Sequence, residues 1–137
     1  MSIKKEEFGK WIEEWCWDTY YRDYDYCIGL SFRVKQVDIK KVKSEVERLF
    51  KSLDKEIVID GIYVIEDKYD SGLHVHGLIV TNEDEGKLGK LFHNHWYKRN
   101  GIYWMDEFKL GEGYDYYMAK DYDKRMFDFG LLNEFLY

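Results

Sequence analysis

Near the start of the chain, apolar residues recur every three or four positions. Phe8, Trp11, Ile12 and Trp15 share one face, with Lys10, Glu13 and Glu14 between them. This spacing predicts an amphipathic helix over residues 4–17 that lays its apolar side on a core. Asp18 to Tyr26 has no clear period and predicts a loop. The run Tyr26-Cys27-Ile28-Gly29-Leu30-Ser31-Phe32-Arg33-Val34 predicts a strand. Asp38 then stands where an N-cap belongs. Behind it Ile39, Val42, Val46, Leu49, Phe50 and Leu53 trace one helical face while Lys40, Lys41, Glu47 and Lys51 occupy the other.

Two strands follow over 56–67 and 73–81, joined by Lys68-Tyr69-Asp70-Ser71-Gly72, whose Asp, Ser and Gly are turn formers. Residues 84–96 predict a helix with Leu88, Leu91 and Phe92 inward, and 102–108 a short strand. After Gly111 and Gly113, residues 114–122 predict a further helix, followed by an aromatic tail ending Phe135-Leu136-Tyr137. Without the first helix, the order is strand–helix–strand–strand–helix–strand. That order predicts an α+β fold of the ferredoxin-like or RRM-like kind: an antiparallel sheet with helices on one face and a site on the open face. One domain over 1–137 is expected, its core spanning about 26–124.

Charge changes the picture of partners. With 21 Lys and Arg against 27 Asp and Glu, the net charge of −6 argues against a protein held to nucleic acid by a broad basic surface. It leaves room for contact with a few phosphates through metal and local basic patches. The 13 Tyr, 8 Phe and 5 Trp serve a core, an interface or base stacking, and composition does not choose among these. Cys16 and Cys27 form no zinc-type spacing. Ile3-Lys4-Lys5-Glu6-Glu7 does not lead into an apolar export segment, and Leu78-Ile79-Val80 is too short to span a bilayer, so a cytoplasmic protein without membrane contact is expected.

The chemistry concentrates in the second hairpin. His74 and His76 alternate onto the same side of a strand, which makes a pair of imidazoles suited to a divalent ion. If the hairpin turns near Asp70, Glu66 pairs with His74 on that face. A one-residue slip would break the arrangement. One Glu and two His suit Mn²⁺, or Mg²⁺ with more water, better than a closed zinc site. Read alone, His-x-His equally describes one structural and one exposed histidine. His93-Asn94-His95 is the weaker pair, since residues two apart on a helix diverge by about 200°. Further on, Tyr117 and Lys120 lie three apart on the predicted helix and share a side. A cation nearby, or a metal-polarised phosphate, makes a Tyr hydroxyl a workable nucleophile. Tyr116 fits the same logic less neatly, and Tyr114 and Tyr122 stand close by.

In this order the residues resemble the rolling-circle replication initiator (Rep) nuclease domains of the HUH endonuclease superfamily, found in small DNA viruses, archaeal viruses and plasmids. Ile28-Gly29-Leu30-Ser31-Phe32-Arg33 is similar to the first motif, an apolar strand, with Ser31 where Thr is common. His74-Val75-His76 is similar to the His-hydrophobic-His motif, with Glu66 at the position of an acidic third ligand. Tyr117-Met118-Ala119-Lys120 is similar to the Tyr-x-x-Lys helix. The likeness covers about residues 26–124.

The resemblance implies a metal-dependent, sequence-specific enzyme that nicks and joins single-stranded DNA at a replication origin. Glu66, His74 and His76 would hold Mn²⁺ or Mg²⁺. Tyr117 would form a 5′-phosphotyrosyl intermediate, with Lys120 positioning or neutralising beside it. Position 121 is Asp, so a single nucleophilic Tyr is expected. No phosphate-binding P-loop occurs, so a helicase and a polymerase would come from the host or virus. Two basic runs, Lys35 to Lys43 and Lys87 to Arg99, are candidate phosphate contacts or ordinary solvated faces. The aromatic helix and tail would pack on the core or join a homodimer. A relaxase or transposase of the same superfamily, or a non-enzymatic single-strand-binding module, are the alternatives.

Overall fold

The computed structural model describes residues 5–109 and 126–132. Along the chain come α1 (Lys5–Tyr20), β1 (Tyr26–Leu30), α2 (Ile39–Asp54), β2 (Ile59–Asp67), β3 (Leu73–Thr81), α3 (Glu85–Phe92), β4 (Tyr103–Glu107) and β5 (Met126–Leu131). The strands form one open antiparallel sheet in the order β4-β1-β3-β2-β5, so the fold is mixed α+β.

Alternation along each strand sends side chains to two faces. On the first, Ile28, Tyr63, Ile65 and Val75 meet the apolar stripe of α2 (Val42, Val46, Leu49) and Phe92 of α3. On the second, Cys27, Ile62, Val64 and Leu78 meet Phe8 and Ile12 of α1. The expectation of helices on one face only is therefore corrected. Helix α1 crosses to the other face and covers one end of it. The cause is in the strands themselves: Ile62-Tyr63-Val64-Ile65 is apolar on both sides, and a strand of that kind needs cover on both.

Asp38 caps α2 as expected; its carboxylate accepts from the Lys40 backbone N–H. The β2–β3 hairpin pairs Ile59 with Thr81 through Asp67 with Leu73, and a 3₁₀ turn over Tyr69–Ser71 closes it. Gly72 completes the turn at φ 83°, a left-handed conformation that glycine adopts without strain. A Cβ there would also fall 2.6 Å from the Gln36 carbonyl oxygen, which accepts from Leu73 N–H. The hairpin turn and the segment after β1 are thus fastened together.

Three elements differ from the reading of the sequence. The first strand stops at Leu30, after which Ser31 and Arg33 donate to the carbonyls of Ile102 and Asn100 in a less regular continuation. The third helix is α-helical to Phe92 and then widens into a π-helical turn over His93–Tyr97. A fifth strand stands where an aromatic tail was expected, with Lys43 of α2 paired to Asp128 at 2.8 Å. The segment 114–122, carrying Tyr114, Tyr116, Tyr117, Lys120 and Tyr122, lies outside the described residues.

Both cysteines are buried, and neither is in a disulfide. Burial pushes the Cys16 thiol up to about 12, with Arg22 opposing the shift. Because the thiolate is the reactive form, Cys16 in the folded protein is expected to resist iodoacetamide at pH 8 and to react readily once urea unfolds the chain. Equal labelling in both states, read by mass spectrometry, would contradict this environment.

Candidate functional site

Helix α1 leaves uncovered the end of the second face where β1 finishes and β3 begins. Glu66 lies near the end of β2 on this face, directly across from His74, while His76 pairs with Val64 on one side and Gly29 on the other. The carboxylate of Glu66 is only 2% exposed. Its Oε2 lies 3.3 Å from His76 Nε2, and its Oε1 lies 3.5 Å from the Lys68 ammonium. A buried carboxylate of this kind requires nearby positive or hydrogen-bonding partners.

His74 is half-buried at the rim. Burial pushes its pKa below the usual imidazole value, the Lys68 charge pushes the same way, and a hydrogen bond to the Ser71 backbone opposes both. The net shift favours the neutral ring, the form in which imidazole donates a lone pair.

Beside the histidines lies a cavity of about 140 Å³ lined by Gly29, Ser31, His74, His76 and Trp104. Trp104 projects from β4, whose register places it opposite Gly29. Its ring centroid is 6.3 Å from that of His76. A single row therefore crosses three strands: Trp104, the vacant side-chain position of Gly29, and His76.

Compared with protein-family models, with curated proteins and with solved structures, the chain finds no match.

The structure brings Glu66, His74 and His76 onto one end of one sheet face. Among the described residues, no three His, Cys, Asp or Glu side chains converge as a ready set of metal ligands. The Glu66 carboxylate turns toward His76 and Lys68, and His74 leans on the turn. His93 and His95 have different partners: the His93 ring stacks on Tyr97 at 4.8 Å, and His95 Nε2 meets Glu56 at 3.2 Å. Among the described residues, no helix is long and apolar enough to cross a membrane.

Two participants escaped the reading of the sequence. Lys68 was read as part of the turn, although it supplies the charge beside Glu66. Trp104 was one aromatic among many. The signal for it was Gly29, since glycine inside an apolar strand often marks close approach by another group.

Proposed function

We propose that this chain is a metal-dependent enzyme that nicks and joins single-stranded DNA to initiate rolling-circle-type replication. The observation that carries the reading is the cross-strand placement of Glu66 opposite His74, with His76 3.3 Å from the same carboxylate, on the end of the sheet face that α1 does not cover. The connectivity from β1 to β4, with β1 and β3 at the centre of those four strands, supports a ferredoxin-like core.

The donor types suit Mn²⁺ or Mg²⁺: one carboxylate and two imidazoles on one face. Glu66, His74 and His76 would hold the ion. Bound there, the metal supplies charge stabilisation at a phosphate. The chain's own chemistry belongs to Tyr117, whose oxygen bonds to phosphorus as the bond to the 3′ oxygen breaks. The tyrosyl proton passes to water, the departing 3′ oxygen takes one up from water, and the 5′ phosphate remains on the protein. Lys120 would supply positive charge for the same step. Reversal with a new 3′-OH rejoins the strand. A relaxase or transposase of the same superfamily would use the same steps.

A second reading, a single-strand-binding module without catalysis, is favoured by the exposed indole of Trp104 on the sheet face. One experiment separates the two. Wild type and Tyr117→Phe are incubated with labelled single-stranded oligonucleotides bearing candidate origin sequences, in Mn²⁺ or Mg²⁺, and resolved on a denaturing protein gel. A metal-dependent covalent adduct is expected in wild type and absent from the variant. An adduct in both moves the nucleophile to another Tyr, and none in either sinks the enzymatic reading.

A further inference from the structure

We infer that Trp104 is a nucleobase-stacking platform, and that the cavity between it and His74 seats the base next to the phosphate being cut. This rests on the function proposed above and adds a substrate contact that no catalytic motif in the sequence contains.

The argument starts from Gly29. A Cβ at that position would lie 2.0 Å from Trp104 Nε1 and 2.4 Å from Cε2, closer than any side-chain carbon can approach. Strand β1 therefore gives up a side chain so that the indole can lie down across it. Such a notch would ordinarily serve to bury the ring, yet Trp104 remains 44% exposed. Its ring is fixed from below and open to solvent above. Indole combines a large flat π surface with little conformational freedom, the qualities that make aromatic side chains effective against unpaired bases.

Position supplies the second half. The ring sits one strand away from His76 in a straight register row, and the same cavity is lined by His74 and Ser31. A phosphate at Glu66, His74 and His76 would leave its neighbouring base within reach of the indole face. Stacking discriminates little among bases, so Trp104 would hold the strand rather than read its sequence.

The test measures binding of a fluorescein-labelled oligothymidylate by anisotropy, and Mn²⁺ binding by calorimetry, for wild type, Trp104→Leu, Trp104→Phe and Gly29→Ala. Trp17→Leu is the control, because Trp17 is 47% exposed on α1, away from the cavity. Trp104→Leu is expected to weaken oligonucleotide binding about tenfold, with Mn²⁺ affinity unchanged. Trp104→Phe should recover part of the loss, and Gly29→Ala should reproduce it by displacing the ring. Abasic substitution along the oligonucleotide should find one position that costs wild type affinity but costs Trp104→Leu nothing. If wild type binds and nicks DNA while Trp104→Leu binds equally well, this inference falls and the proposed function stands. Loss of Mn²⁺ binding in Trp104→Leu would make the indole a cover for His76, which also overturns it. If wild type binds neither oligothymidylate nor the candidate origin oligonucleotides, both readings fail.

Discussion

Trp96→Ala is expected to lower the unfolding free energy by about 3–5 kcal/mol, the range for removing a large aromatic side chain from a packed core. Trp96 is fully buried in the cluster beneath α2 and α3. Its ring meets Phe32 edge-on at 5.1 Å, and its indole N–H donates to the Ser31 carbonyl at 3.1 Å. Alanine would leave a void and remove that donor. Trp96→Phe keeps one aromatic ring but loses the N–H and part of the indole volume, so it should cost less, about 1–3 kcal/mol. Urea unfolding would read both, with the midpoint falling in the order wild type, Phe, Ala. Since domains of ordinary stability hold only about 5–15 kcal/mol, the alanine variant would be left near the edge of folding. A wild-type midpoint in Trp96→Ala would show that this tryptophan does not join the π-helical turn to the end of β1.

The sequence carried most of the hairpin and the second helix because each is locally determined. Asp38 and the apolar spacing from Ile39 to Leu53 define α2 without reference to the rest of the chain. Gly72 and the turn residues before it set the hairpin, which places Glu66 across from His74. Helix α1 was legible as a helix but not in its place, because an apolar stripe says that it is buried and not against which face. The apolar run Ile62–Ile65 held that information and argued against a wholly open face. Trp104 and Gly29 meet only through the pairing of β1 with β4, a contact distant in sequence. Strand β5 likewise gains its pairing from β2 rather than from any local turn. Tyr117 and Lys120 lie outside the described residues, so their part of the candidate site rests on the motif alone.

Addition of Mn²⁺ is expected to raise the melting temperature of wild type and to leave that of a Glu66→Ala, His74→Ala, His76→Ala triple variant unchanged. The reasoning is mass action: an ion that binds the folded chain and not the unfolded one stabilises it by about 2.7 kcal/mol when its free concentration is 100 times the dissociation constant. For a chain of this length that corresponds to a rise of roughly 5–10 °C. The three residues belong to two adjacent strands and share one sheet face only in the folded register, so an ion held by all three would bind the native chain and not the unfolded one. Each single variant should lose most of the shift, His76→Ala included, because its imidazole is the one already against the Glu66 carboxylate. His93→Ala and His95→Ala should retain the full shift, since those rings engage Tyr97 and Glu56 elsewhere. Glu66→Ala has a further effect in metal-free solution. It removes the partner of Lys68 and His76 at a buried position, so its baseline melting temperature should fall before any ion is added. Comparing shifts rather than absolute temperatures removes that offset. A shift that survives the triple variant would place the ion elsewhere on the chain, and no shift in wild type at millimolar Mn²⁺ or Mg²⁺ would leave Glu66, His74 and His76 as a structural charge cluster.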